Sequence, residues 1–548
     1  MNITRTLLIL LSMLTRFGFC QNLEAQIDEI YHVDAHAPGY SIIISKGEEI
    51  LIEKQYGISN LDYDIPMTNK TVFDIGSIAK QFTAYAILLL EEQGKLSIKE
   101  PAYKYIDNLP RYQKGNPTIE QLLNQTSGIK EVDGIAGIAD YGRNDLLTQS
   151  QMMNFITKTR SLNFKPGEYF QYTNSNYILL ADIIATVSGK SFADFMQEDV
   201  FDPFEMDNTI KKKSTYAIIK NRAIGYIEDE GEFYKTHLHA FIYNGDGQVL
   251  TTARDMFKWH MGLQQVKDQY PELYKKMHTK ARLNNANVLD YGLGVEFETH
   301  KNYQAYGFDG MILGGFVSKY LYFPELDMMF FTTQNTFDSD FEEQFFQLVD
   351  LYIPNNNFNA ETKYSQREKE VKLSNKELKL YEGNYIFTGS DVETIKINTI
   401  RLKNDTLTVL TTDGEEITRL KPIGDHQFMF NDKRVVFDLR SDRKSYNYYN
   451  SDNELPWHFK EYSPTNYNEN QLKEFEGQYF NADFQISKKI VLKDGKLFVL
   501  SRNGAWKNEI EPLYEDAFNY ASDLLTFSRD DYKEITGLEI LGIVFEKL

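Results

Sequence analysis

The chain has 548 residues, 42% hydrophobic and 25% charged, the balance of a globular protein and not of a disordered one. Its length exceeds what one hydrophobic core serves, so roughly two to four domains are expected. A formal charge of −20 repels nucleic acid and anionic membrane surfaces, which argues against either as a partner.

In chain order, Arg5 precedes an apolar run from Leu7 to Leu14, and Gly18-Phe19-Cys20 leads into polar Gln21. This reads as a secretory signal over residues 1–20, because the apolar run is too short to span a bilayer. Its removal takes two arginines and no acids, moving the formal charge from −20 to −22. The expected location is periplasmic or secreted, with no stable membrane span. Cys20 is the only cysteine, so a lipid anchor through it is the alternative, disfavoured by the bulky Phe19 before it. The mature chain then has no disulfide, no cysteine nucleophile and no thiolate metal site.

Two apolar runs, Tyr40 to Ser45 and Ile50 to Tyr56, flank a Lys46-Gly47-Glu48-Glu49 turn and predict a β-hairpin. From Ser77 the pattern is helical until Gly94. Residues 100–260 read mostly as helix and loop. Gly314 to Phe323 and Met328 to Gln334 predict two strands, and Asp338 to Tyr352 an amphipathic helix. Strands at both ends with helices between them predict one α+β domain over residues 21–354, its terminal strands sharing a sheet.

Residues 355–374 read as a linker. Beyond it the chain repeats itself. Leu378-x-x-Tyr381-x-Gly383-x-Tyr385 recurs as Leu472-x-x-Phe475-x-Gly477-x-Tyr479. Leu402 to Leu410 recurs as Leu492 to Leu500, and Pro422, Phe428 and Phe437 recur as Pro512, Phe518 and Phe527, ninety residues on. Two tandem all-β modules are expected, residues 375–460 and 461–548, each a small meander or barrel. They carry no catalytic signature, so a chain ending near Asn356 is expected to fold and keep activity.

Serine hydrolysis needs a nucleophilic hydroxyl, a base touching it and donors for the oxyanion. Ser77-Ile78-Ala79-Lys80 supplies the first two, since positions i and i+3 of a helix share a face. The positive end of the helix dipole disfavours an ammonium there and favours the neutral base. Ser127…Lys130 and Ser441…Lys444 have the same spacing, but only Ser77 opens a long buried-type helix. His237 and His239 alternate as strand neighbours would, without a third ligand at recognisable spacing; no metal or organic cofactor is expected.

Several stretches in order give the chain from about residue 25 to 352 a resemblance to the serine β-lactamase-related superfamily. This superfamily includes class C β-lactamases, D-alanyl-D-alanine carboxypeptidases and related esterases. Phe73 to Lys80 resembles its nucleophile motif. Leu122 to Gly128 is similar to a family loop that usually has histidine where Gln125 stands. Pro166-Gly167 with Tyr172-Thr173-Asn174 resembles its Tyr-x-Asn motif, and Gly245 to Trp259 its later glycine-rich turn and helix. Tyr448-Tyr449-Asn450 also fits the bare Tyr-x-Asn pattern, without the preamble or the helix that follow Tyr172.

The resemblance implies an antiparallel sheet flanked by helices plus a helical region. Tyr172 becomes the second proton-transfer group, and Asn174 the residue that binds Lys80 and substrate. The family's third motif, Lys-Thr-Gly or His-x-Gly, aligns with Phe308-Asp309-Gly310, followed by Met311. Gly310 keeps the close approach of this strand to substrate, and the N–H of Met311 joins that of Ser77 as oxyanion hole. Phe308 replaces the expected cation and Asp309, if it faces the cleft, repels anions, so poor recognition of a substrate carboxylate is expected. The expected activity is an acyl-enzyme esterase on small esters or amides. The alternatives are a D-amino-acid peptidase, carboxypeptidase or β-lactamase, and an acylated sensor that never deacylates.

Overall fold

A computed structural model of the protein describes residues 23–142, 145–236, 241–312, 314–337, 339–355, 371–387, 396–411, 414–431, 433–440, 443–451, 453–501, 506–520 and 523–548. The signal reading of residues 1–20, most of the linker, His237, His239 and Ser441 lie outside them.

The predicted hairpin forms as β1 (Tyr40–Lys46) and β2 (Glu49–Gln55). The predicted helix is α1 (Ala79–Glu92), entered through a 3-10 turn at Gly76–Ile78. It buries most of its length, including Phe82, Ala86 and Leu90, against α2 (Asn174–Ser188) and α3 (Ala253–Gln269). The aromatic contacts of Trp259 with Phe82 and Tyr85 lie at 4.5 and 5.6 Å between centroids.

Four further strands, β3 (Glu296–His300), β4 (Tyr303–Ile312), β5 (Phe316–Phe323) and β6 (Met328–Gln334), complete a sheet of order β3-β4-β5-β6-β1-β2. Tyr40 pairs with Gln334 and Lys46 with Met328, so the two ends of the domain share this sheet. The amphipathic helix α4 (Phe341–Tyr352) buries Phe345, Leu348 and Val349 on one sheet face. The other face carries α1 and α3. β3 begins at Glu296, opposite Gly307, so β4 runs past its edge neighbour from Phe308 to Ile312. That stretch, paired with β5 alone, bears the third motif.

The repeats form two closed eight-stranded barrels, from Gly383–Phe387 to Trp457–Tyr462 and from Gly477–Asn481 to Ile543–Lys547. The sequence repeat has a structural reason at each match. Asn404-Asp405 and Asp494-Gly495 are two-residue turns with both φ positive, the hairpin geometry that suits strand twist. Pro422 pairs with Phe428 and Pro512 with Phe518, each before the same register shift. Tyr381, Phe428 and Phe437 cluster in the first barrel as Phe475, Phe518 and Phe527 do in the second.

The barrels are not free appendages, contrary to the expectation that the first 356 residues act alone. Core residues of the second barrel run on continuously into the core of the α+β domain. Phe484 meets Phe155 at 5.6 Å, and fully buried Lys488 is ion-paired to Asp140. Ending the chain at Asn355 uncovers this apolar surface and leaves Asp140 without its lysine. The expected result is an aggregating product, read as soluble yield after expression; a soluble and active shortened chain would contradict it.

Candidate active site

The turn that begins α1 sits under the stretch of β4 from Phe308 to Ile312. Gly76 has φ +54, and a Cβ there would lie 2.8 Å from the backbone N of Met311. A Cβ on Gly310 would lie 2.0 Å from the carbonyl O of Ile75. Both positions therefore require glycine, and the two backbones touch. This contact brings the Met311 backbone against the turn that carries Ser77.

Ser77 is half-buried, and two side chains converge on its hydroxyl. The amine Nζ of Lys80 lies 2.9 Å from Oγ, and the Tyr172 hydroxyl donates to Oγ at 2.8 Å. Lys80 is fully buried and also donates to Asn174 Oδ1 and to the Asp246 carbonyl, both at 2.9 Å. Burial disfavours its ammonium and brings it from 10.5 down to about 8. Tyr172 is partly exposed at the cleft mouth, with its hydroxyl turned onto Ser77. Burial there pushes its hydroxyl well above its ordinary value, so it keeps its proton near neutrality. Lys80 Nζ lies 4.8 Å from the centroid of that ring.

Asn174 opens α2, and its backbone N donates to Glu131 Oε2 at 2.8 Å, while Nδ2 donates to Asp133 Oδ2 at 3.3 Å. Gln125, where the resemblance leads one to expect histidine, is fully buried. Its Oε1 accepts from the Thr173 N at 3.2 Å and from Asn176 Nδ2 at 2.6 Å. It thus fixes the turn that aims Tyr172 and Asn174. The rival Ser127 is fully buried and donates to Asn176 Oδ1 at 2.6 Å, a scaffold role. Tyr448 and Tyr449 lie on a strand of the first barrel.

Phe308 is buried, with its ring 6.4 Å from Tyr172 and 6.0 Å from Tyr291. It presents an apolar face to Tyr172 and Tyr291. Asp309 does not stand as a free anion but pairs with Lys319 at 2.8 Å. Lys319 is itself buried, and Glu298 lies 3.4 Å from its Nζ. Phe308 and Asp309 open onto a pocket of about 670 Å³ lined also by Glu296, Glu298, Asp290, Glu342 and Glu454. Among the described lining residues Lys319 is the one cation, and Lys280, outside the lining, pairs with Asp290 at 2.6 Å. Burial and the neighbouring Asp309 raise Glu296 to about 7.

Part of that lining comes from the first barrel. The Phe170 N donates to the Asn453 carbonyl at 2.9 Å, and Asn453 Nδ2 donates to the Val288 carbonyl at 2.8 Å. Phe170 is two residues from Tyr172, so the barrel loop buttresses the segment that carries the second proton-transfer candidate. Glu131, Asp133, Asp246, Glu296 and this loop escaped the sequence reading. Only Asp246 left a trace there, inside the noted glycine-rich turn.

The profile of the beta-lactamase family matches residues 21–351. A penicillin-binding protein of Bacillus subtilis (strain 168) is 27% identical over 289 residues, covering 50% of this chain and 63% of that protein. A D-aminopeptidase of Gluconobacter oxydans (strain 621H) is 25% identical over 280 residues, covering 51% and 52% respectively. The chain therefore spans little more than half the length of the curated relatives it matches. An octameric penicillin-binding protein homologue from Pyrococcus abyssi superposes with a TM-score of 0.53 at 21% identity, covering 89% of this chain and 99% of that one. At that identity the likeness concerns fold alone.

Proposed function

The chain belongs to the beta-lactamase family, and from that premise we propose that it is a serine hydrolase acting through an acyl-enzyme on Ser77. The observation that carries the reading is the convergence of Lys80 and Tyr172 on one hydroxyl, at 2.9 and 2.8 Å. Neutral Lys80 takes the Ser77 proton as Oγ attacks the substrate carbonyl. The amides of Ser77 and Met311 donate to the oxyanion. Tyr172, which burial keeps protonated, gives its proton to the leaving group. Water then releases the acyl group by the reverse use of the same residues. Export rests on the sequence of residues 1–20 alone.

The acidic pocket supports a narrower substrate class. With Phe308 in place of a cation and carboxylates in excess of cations along the pocket even after Asp290 pairs with Lys280 and Asp309 with Lys319, substrates bearing a carboxylate are disfavoured and those bearing an ammonium are drawn in. The D-aminopeptidase relative agrees with a free-amine amide or peptide. We assign that ammonium to Glu296, the largely buried carboxylate that lines the pocket together with Phe308. The apolar Phe308 face favours neutral short-chain esters as second substrates.

The test is a panel of D-alanine p-nitroanilide, p-nitrophenyl butyrate and a chromogenic cephalosporin. The amine and the neutral ester should be hydrolysed, and the cephalosporin poorly. Glu296→Gln should lower kcat/KM for the anilide by roughly tenfold to a hundredfold, the worth of one charge-assisted hydrogen bond, and leave the ester unchanged. Preference for the cephalosporin, or equal losses on anilide and ester, would overturn the substrate class.

A further inference from the structure

Behind the catalytic lysine lies a second buried lysine that the reaction does not use. Lys211 is 1% exposed, and its Nζ donates to the Tyr243 carbonyl at 2.9 Å. Lys80 donates to the carbonyl of Asp246, three residues further along the same loop. Two amines thus grip one loop, Lys80 from the cleft side. Thr83 holds it too, donating to the Gly245 carbonyl at 2.7 Å. The side chain of Asp246, the residue whose carbonyl Lys80 holds, is 7% exposed, and its Oδ1 makes no hydrogen bond. A carboxylate so placed acts on its neighbours through its charge.

We propose that Asp246 is a positioning residue of the hydrolytic site, its buried carboxylate shared between Lys80 and Lys211 and governing how firmly Lys80 holds its proton. The inference rests on the reading of Lys80 as base. Among the acids that face Lys80, which are Asp246, Glu131, Asp133 and Glu296, Asp246 acts most strongly. Lys80 is in turn the strongest cation on Asp246, followed by Lys211, while Glu131 opposes them. Lys211 faces Asp246 first, then Asp74 and Lys212. The arrangement resolves a conflict in the site. Burial alone would drive Lys80 toward a neutral amine too weak to pull the Ser77 proton, and a full ion pair would leave it an ammonium. A carboxylate divided between two amines gives an intermediate hold.

The test is kcat/KM against pH for p-nitrophenyl butyrate, whose leaving group needs no acid, using the full chain. Asp246→Asn removes the charge and keeps the shape. Its acid limb should move down by about one pH unit, so that activity relative to the plateau rises about tenfold on that limb. Asp246→Glu should restore the limb. Lys211→Met removes the competing ammonium and should move it to higher pH. A folded Asp246→Asn variant with an unmoved limb, or Lys211→Met moving it downward, overturns the proposal. So does a failure of both variants to fold, which would place the trio in the scaffold. If Ser77→Ala and Lys80→Met keep full activity, the fault lies in the hydrolase reading itself.

Discussion

Ser77→Ala is expected to reduce hydrolysis by at least about 10⁴-fold while leaving the fold intact. Ser77 sits in the 3-10 turn before α1, where a lost hydroxyl leaves no packing gap of consequence. Lys80 keeps two acceptors, Asn174 Oδ1 and the Asp246 carbonyl, so no buried donor is stranded. The Tyr172 hydroxyl faces the cleft. The melting temperature should therefore stay within a few degrees while turnover falls to background. Rates on p-nitrophenyl butyrate, with a thermal melt beside them, check both halves. Retained hydrolysis would remove Ser77 from the chemistry.

Lys80→Met should be nearly as damaging, because nucleophile and base act as one unit. Methionine fits the apolar stem of a fully buried lysine. Its cost to the fold is two acceptors left without a donor, about 1–3 kcal/mol each, offset by no longer burying an amine. Lys80→Arg separates the two roles that a lysine can play. It keeps a cation but cannot give up its proton, so a base lost this way is not rescued. In the wild type, kcat/KM should rise as pH rises through about 8, where Lys80 becomes neutral. A Lys80→Arg enzyme with near-normal turnover would mean that the charge, and not the proton, is what matters.

The features legible in the sequence share one property: they are fixed by neighbours along the chain. The hairpin at 40–56 and the apolar stripe of α1 are local patterns, and the Ser77–Lys80 contact follows from helical spacing. The barrel repeats were legible because their turns impose the same residue chemistry twice, at Asn404 and at Asp494. What escaped depends on distant parts of the chain meeting. Asn174 meets Glu131 and Asp133 across a fold of the helical region, and no spacing rule links them. Asp246 gains its meaning from Lys80 and Lys211, each from a different element. Glu296 looks like any strand glutamate until Asp309 and Phe308 close around it. Sequence alone leaves open whether Asp309 faces the cleft as a free anion, and the structure supplies its partner, Lys319. The first barrel's loop at Asn453 is silent in sequence for the same reason, although it stands beside Phe170.

We propose Ser77 as the nucleophile that this cluster activates. The most direct measurement is the reaction of the full chain with a fluorophosphonate, followed by intact mass and peptide mapping. The account predicts one adduct per chain, on the peptide containing Ser77, formed far more slowly in Lys80→Met. An adduct on Ser127 or elsewhere would contradict it, as would no adduct on a chain that hydrolyses esters.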